Sequence, residues 1–152
     1  MCPLRALSIR QPYAELILRG IKTVEYRSRA TRIVGERFYI HAGKSPVRKI
    51  WSRDLAGAGA LPPPLWMIEL AEQVGMIEAD AQGGLPTGVI VGSAVIEKVV
   101  CRGEPRVRPV SFASEGEHKV RPCYEWHLTG VERATRLRKP KGHPQPVWFN
   151  PF

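Results

Sequence analysis

Cysteine is scarce in this chain, and long apolar runs are absent. The three cysteines, Cys2, Cys101 and Cys123, are odd in number and include no C-x-x-C pair, which argues against a disulfide framework and a thiolate zinc site. The longest apolar stretches, such as residues 88–96, are shorter than the roughly 18 residues that cross a bilayer. The N-terminal residues lack the apolar core of a secretion signal. We therefore expect a cytoplasmic protein with reduced thiols and no membrane segment.

Familiar metal and phosphate motifs are missing as well. No H-E-x-x-H, Walker or G-x-G-x-x-G pattern occurs. The histidines are scattered without metal-ligand spacing: His41, His118, His127 and His143. These absences predict no metal site and no cofactor. Because His41 and His127 fall in strand-like segments, we interpret both as hydrogen-bonded structural residues.

Basic residues are absent from positions 54–97, so an acidic segment separates two basic segments of the chain. The net charge is +9, from 23 Lys and Arg against 14 Asp and Glu. Residues 1–53 contribute +9, residues 54–97 contribute −6 and residues 98–152 contribute +6. If the two basic segments meet in the fold, one side of the molecule suits a polyanion. The alternative is a surface that is simply rich in arginine, with 16 Arg to 7 Lys.

Length and patterning predict a single α+β domain over residues 1–152. The composition, 43% hydrophobic and 24% charged, is ordinary for a globular domain and excludes intrinsic disorder. Apolar or alternating runs predict strands at residues 4–9, 23–27, 37–42, 88–100, 124–128 and 146–149. Helical spacing and end signals predict helices at residues 12–19, 45–55 and 65–74. A small, partly closed barrel flanked by two or three helices is the most economical arrangement.

The remaining segments have loop or turn composition. Residues 28–36 are dense in arginine, and residues 56–64 are rich in Gly and Pro. The polar composition of residues 102–117, with two prolines, predicts a surface loop that contains a short strand at 110–112. Gly92 indicates a bulge or a close approach within its strand. The run at residues 133–141 (RATRLRKPK) is interpreted either as a solvated basic edge or as a phosphate track.

The densest polar chemistry lies at residues 20–27 (GIKTVEYR), where a predicted helix gives way to a strand. Alternation predicts that Val24 and Tyr26 face the core and that Glu25 and Arg27 share the outward face with Thr23. The acid and the guanidinium can then pair, or bind one ligand together. A surface salt bridge that braces the corner, worth about 0–1 kcal/mol, explains the same spacing equally well.

The motif Gly20-x-Lys22-x-x-Glu25-x-Arg27, preceded by residues 7–14 (LSIRQPYA), resembles the opening of an ASCH domain, whose signature is G-x-K-x-x-E-x-R. All four signature positions match. The later segments 88–92, 124–127 and 146–149 fit the same layout, so the resemblance covers nearly the whole chain. It implies a PUA-like superfold, a small β-barrel with flanking helices, and binding of RNA or a nucleotide in a basic cleft between barrel and helix.

The residues expected to form this cleft are cations, a carboxylate and aromatic rings. Lys22 and Arg27 supply charge for phosphate, and Glu25 can accept from the exocyclic amine of a base. Aromatic faces stack on unpaired bases, and Tyr13 and Trp126 are the candidates. Tyr26 and Trp148 are interpreted as core residues. Further predicted contacts to phosphate or sugar are Arg10, Gln11 and Lys139.

Enzymes occur among the relatives that the resemblance implies, so a small hydrolase is the alternative. One ASCH-like branch cleaves single-stranded RNA, a reaction for which Glu25 or His127 as base beside Lys22 would suffice. Another removes acyl groups from N-acylated cytidine with a lysine, a threonine and a glutamate. This chain keeps Lys22 but has Glu25 where that branch has its threonine. The catalytic candidates are therefore Lys22 and Glu25. A protein-interaction module is a third possibility.

Overall fold

The computed structural model describes residues 4–43, 69, 72–73, 75, 84–102, 123–145 and 147–152. The described chain is an α+β unit that consists of one short helix and one six-stranded sheet. In chain order its elements are β1 (Ala6–Arg10), α1 (Tyr13–Leu18), β2 (Val24–Arg27), β3 (Arg37–Gly43), β4 (Val89–Arg102), β5 (Cys123–Arg138) and β6 (Trp148–Phe149).

The predicted helix and strands of the first 43 residues are confirmed. Pro12 stands at the N-terminal end of α1, where the missing N–H of proline removes no helical bond. Gly20 follows the helix at φ +73°, a conformation that glycine adopts without the steric cost of a side chain. The chain therefore turns sharply after α1 and enters β2.

Several predicted segments lie wholly or largely outside the described residues. These are the helix at 45–55, the Gly- and Pro-rich stretch 56–64 and the loop at 102–117 with its short strand. Of the predicted 65–74 helix, the described residues 69, 72 and 73 are helical, and Gly75 follows at φ +68°.

The strand order is β2-β5-β4-β3-β1-β6, with a parallel pair between β1 and β3 and antiparallel pairs elsewhere. The predicted barrel is not confirmed, because no backbone pairing closes β2 onto β1 or β6 among the described strands. Strand β5 is much longer than the predicted 124–128. Its second half, with an irregular register against β4, lacks the clean alternation by which a strand is identified from sequence.

Two faces of the sheet bury different side chains. The inner face carries the main core, which includes Leu7, Phe38, Ile40, Ile96 and Trp126 and packs against Ala14 and Ile17 of α1. The outer face carries a smaller cluster of Ala6, Ile90, Phe149 and Tyr39. Successive strand residues alternate between the two faces, as strand geometry requires.

Helix α1 packs closely against the sheet at Gly92. The register between β4 and β5 shifts beside it, and a Cβ built there would lie 2.5 Å from Glu132 O and 2.5 Å from Leu18 Cδ2. The expected bulge and close approach are thus both present. No other residue fits between the helix and the two long strands.

We expect Gly92→Ala to lower the free energy of unfolding by about 1–3 kcal/mol, because the added methyl group overlaps a backbone oxygen that cannot move freely. Gly43→Ala is the matched control, since its Cβ would meet Ser8 Oγ at an ordinary 3.5 Å. Urea denaturation of both variants measures the difference. Equal midpoints for the two variants would contradict the packing argument.

Candidate functional site

The candidate site lies where the sheet fails to close, along a seam between the free edges of β1 and β2. Arg5 O accepts a hydrogen bond from Tyr39 N of β3, and carbonyls alternate along a strand, so Ser8 O points away from β3. Strand β6 covers β1 only at Ala6 and Leu7. On the other side, Thr23 O is bonded to Leu128 N of β5, so the Val24 carbonyl points to the free edge of β2.

Three charged side chains fill this seam: Lys22, Glu25 and Arg27, which we call the triad. Glu25 Oε2 lies 2.9 Å from Lys22 Nζ, and Glu25 Oε1 lies 3.0 Å from Arg27 Nε. The side chains of Lys22, Glu25 and Arg27 are 7%, 11% and 20% exposed. One carboxylate is therefore shared by two largely buried cations, and the triad carries a net positive charge.

The face on which the triad lies was predicted wrongly. Glu25 stands opposite Trp126 in the β2–β5 ladder, and directly opposed residues share a face of the sheet. Glu25 is therefore on the inner face, whereas Tyr26 is 38% exposed. The alternation of β2 separates two faces but does not say which is buried. The usual rule of apolar residues inside fails here because Lys22 and Arg27 compensate the buried carboxylate.

Lys22 is held in place by more than its ion pair. Its ammonium donates to Val24 O at the free edge of β2. It also lies 5.7 Å from the ring centroid of Tyr13 and 5.4 Å from that of Tyr26, within the range of a cation–π contact. A lysine surrounded in this way has a fixed position, which a site for an anion requires.

Arg27 connects the two edges of the seam. Its Nη2 donates to Ser8 O of β1 at 3.0 Å, and its guanidinium lies 5.7 Å from the ring centroid of Trp126. The contact of Nε with Glu25 is electrostatic, because that nitrogen makes no hydrogen bond of good geometry. Nη1 has no hydrogen-bond partner among the described residues. The guanidinium thus retains N–H groups for a ligand.

Two exposed arginines and Tyr13 border the triad, and we call these three residues the rim. Arg10 is exposed and makes no ion pair within the described part of the chain. The backbone of Arg29 is fixed by Trp126 Nε1, which donates to Arg29 O at 3.1 Å, while the Arg29 side chain is exposed. Burial raises the pKa of Tyr13 above its ordinary value, and Glu25 adds to this effect while Arg10 opposes it. Tyr13 therefore remains a neutral hydroxyl.

A known protein family matches the part of the chain that forms this site. A family model for the ASCH domain matches residues 7–134, a range that contains the whole triad. The chain belongs to the ASCH domain family. ASCH domains are generally associated with RNA binding. The seam of this ASCH domain thus carries the signature residues Lys22, Glu25 and Arg27 in mutual contact.

Solved structures of another ASCH protein are similar in fold. A serine-to-alanine variant of the ASCH protein of Zymomonas mobilis is 16% identical, with a TM-score of 0.53 over 97% of this chain and 87% of that chain. A tyrosine-to-phenylalanine variant of the same protein is 17% identical, with a TM-score of 0.50 over 95% and 85%. At this identity the likeness shows the fold alone. No curated protein matches the chain.

The other predicted contact residues have different surroundings in this ASCH domain. Gln11 is fully buried, with its side-chain N–H donating to Pro86 O at 2.9 Å and its side-chain oxygen accepting from Glu15 N at 3.1 Å. Trp126 is 1% exposed and stacks on Trp148 with ring centroids 5.7 Å apart. Gln11 therefore caps α1. The Trp126 ring packs against Arg27 and Trp148 in the interior, so it is not accessible for stacking on a base.

Two further candidates lie away from the triad. His127 is adjacent to the inward-facing Trp126 along β5, so it occupies the opposite face of the sheet, where its Nε2 is 3.2 Å from Glu125 Oε2. Lys139 is exposed just beyond the end of β5, next to Arg138, which stands three strands away from Ser8 of β1 in the row formed with Ile90 and His41. The predicted pairing of His127 with Lys22 is not present, and Lys139 belongs to a different surface.

Sequence reasoning missed three features of the site. Tyr26 was interpreted as a core residue, yet it is partly exposed beside Lys22. Arg29 was treated only as part of an arginine-rich loop, although that arginine density was the available signal. The bond from Arg27 to Ser8 O had no signal in the sequence, because it joins strands from opposite ends of the sheet order.

A second ion-pair cluster fastens α1 to β5. Arg133 donates to both oxygens of Glu15, at 3.0 and 2.7 Å, and Arg19 Nε donates to Glu15 Oε1 at 2.9 Å. Burial raises the pKa of Glu15, but the hydrogen bonds from Arg133 and Arg19 outweigh it and hold the pKa below its ordinary value. The spacing of Glu15 and Arg19 along the helix was readable from sequence, whereas the contact with Arg133 was not.

Neither a cluster of metal-ligand side chains nor a helix of membrane-spanning length occurs in the described ranges. No group of three or more His, Cys, Asp or Glu side chains there could hold a metal ion. Within the same ranges, no helix has the length and apolarity needed to cross a membrane.

We expect Glu25→Gln to lower the free energy of unfolding by about 3 kcal/mol, because a neutral amide leaves the buried Lys22 without its counter-charge. Glu132→Gln is the matched control. Glu132 is 69% exposed and lies 3.3 Å from Arg37, so its loss should cost about 0–1 kcal/mol. Chemical denaturation at neutral pH measures both. Similar losses in the two variants would show that the triad is not effectively buried.

The ion pairs of Glu15 predict an acid-dependent loss of stability. Because the pKa of Glu15 is lower in the folded state, its stabilising contribution is complete above the ordinary carboxyl value of 4.5 and disappears as the pH falls through the lower, folded value. Urea midpoints measured from neutral pH down to about pH 3 should fall less steeply for Glu15→Gln than for the wild type. Parallel curves would contradict this assignment.

Proposed function

We propose that this ASCH domain binds single-stranded RNA, or a nucleotide of the same chemistry, at the seam. The observation that carries the proposal is the sharing of Glu25 by Lys22 and Arg27. The triad is thereby held rigid and keeps a net positive charge, and Arg27 retains a nitrogen without a partner among the described residues. A phosphate can accept from that nitrogen without breaking an existing bond.

The rim extends this positive charge to the surface. Arg10 and Arg29 are exposed on either side of the seam and can each contact a backbone phosphate. Tyr13 is neutral and partly buried next to Lys22, so its hydroxyl can bond to a sugar or a base edge. Tyr26 contributes an exposed ring, and stacking on an aromatic ring is the usual way in which unpaired bases are held.

A hydrolase receives less support from the same geometry. Each oxygen of Glu25 already faces a cation, so neither oxygen is free to approach a substrate. His127 lies on the other face of the sheet, and Glu25 replaces the threonine of the amidohydrolase branch. We therefore treat ribonuclease and amidohydrolase activity as outcomes of the binding experiment.

We expect Arg10→Ala and Arg29→Ala each to weaken binding of a labelled RNA pentanucleotide about tenfold, or about 1.4 kcal/mol. Each lost phosphate contact should also reduce the slope of log affinity against log salt by about 0.7 between roughly 50 and 200 mM salt. Fluorescence anisotropy measures both quantities. Lys98→Ala is the matched control, because Lys98 is an exposed cation on β4, which β5 separates from β2.

Three results would decide against the proposal. Affinity that does not change with salt would exclude phosphate contacts, and equal losses in Lys98→Ala would place binding elsewhere. Shortened RNA on a denaturing gel, or cytidine released from N-acylated cytidine, would instead identify a hydrolase if a folded Lys22→Ala variant abolished the turnover. Circular dichroism of each variant checks that the fold is intact.

A further inference from the structure

Four exposed cations lie at the far end of β5 and in the turn that follows it: Arg136, Arg138, Lys139 and Lys141. We call this group the basic strand end. None of the four forms an ion pair with an acidic residue in the part of the chain that the structure describes. Arg133, in the same run of sequence, differs because it is bound to Glu15. The described residues therefore leave the positive charge of the basic strand end without an acidic partner.

Arg138 is fixed by aromatic rings. Its guanidinium carbon lies 4.1 Å from the ring centroid of Phe152 and 5.7 Å from that of Tyr39. These two rings contact each other edge to face, with centroids 5.9 Å apart. A guanidinium that stacks on a ring still directs its N–H groups outward in its own plane. Arg138 is thus oriented in advance for an anionic acceptor, at a smaller entropy cost than a free surface arginine.

The turn that carries the two lysines is also fixed. Lys141 N donates to Pro151 O at 2.7 Å, and a Cβ at Gly142 would lie 2.6 Å from Asn150 O. The turn is therefore packed directly on the last residues of the described chain. Phe152, 44% exposed, adds an aromatic surface beside the cations, a combination typical of single-strand binding surfaces.

We propose that the basic strand end is a second binding surface for the sugar–phosphate backbone of single-stranded RNA that also occupies the seam. This inference rests on the proposed function of the seam. Ile90 of β4 stands opposite both Arg138 and His41, and His41 stands opposite Ser8, whose carbonyl accepts from Arg27. Three strand spacings, roughly 15 Å, therefore separate Arg138 from Ser8 at the seam. A stacked dinucleotide extends only about 7 Å at 3.4 Å per nucleotide, so only a longer strand reaches both surfaces. Binding at both should raise the affinity for long RNA through effective concentration.

The experiment compares a 5′-phosphorylated dinucleotide with a twenty-nucleotide RNA of repeated sequence on the intact chain. For Arg136→Ala/Arg138→Ala we expect unchanged affinity for the dinucleotide and at least about tenfold weaker binding of the longer RNA. The salt slope for the longer RNA should fall by about 1.4, because two phosphate contacts are lost. Arg32→Ala/Lys98→Ala is the charge-matched control and should keep the wild-type ratio of the two affinities, since both residues are exposed and belong to neither surface.

The possible results separate this inference from the proposed function. Equal losses for both RNAs, or no loss for either, would overturn the second surface while binding at the seam stands. No binding of either RNA to the wild type would overturn both proposals. If the double variant instead loses only its binding to vesicles of phosphatidylserine, the basic strand end is a membrane contact and the inference is wrong.

Discussion

The fold depends on how its open seam is bridged. Strands β1 and β2 each present unpaired backbone groups to the seam, and a buried carbonyl without a partner is costly. Lys22 bonds to Val24 O, and Arg27 bonds to Ser8 O, so side chains satisfy the groups that a closed barrel would satisfy with a ladder. Glu25 neutralises part of the charge that this arrangement buries. The ion pairs are therefore a consequence of leaving the sheet open.

The residues that stabilise the seam are the same ones that are proposed to bind RNA. Buried ion pairs recover their desolvation cost only with good geometry and additional hydrogen bonds, and here both cations have such bonds. Stability would be served equally well by a closed barrel or by apolar residues. An open seam instead leaves the cations Lys22 and Arg27 between two strand edges, and the proposed binding of RNA depends on that arrangement.

Local signals predicted most of the first 43 residues and the composition of the site. Pro12 and Gly20 bracket α1, alternation marks β2, and the signature spacing identifies Lys22, Glu25 and Arg27 as a group. The face of β2 was predicted wrongly, because alternation has a period but no absolute direction. The length of β5 was missed, because its bulges interrupt the two-residue period on which strand prediction relies.

The sequence by itself determined the family, the α+β class and the residue types at the corner after α1, because these follow from contacts between near neighbours and from motif spacing. Only the tertiary structure decided that the sheet stays open among the described strands, that the triad faces inward and that Trp126 supports Arg27. Each of these depends on residues far apart in the chain, such as Ser8 with Arg27 and Arg27 with Trp126. The local sequence pattern does not predict which distant residues a twisted sheet brings into contact.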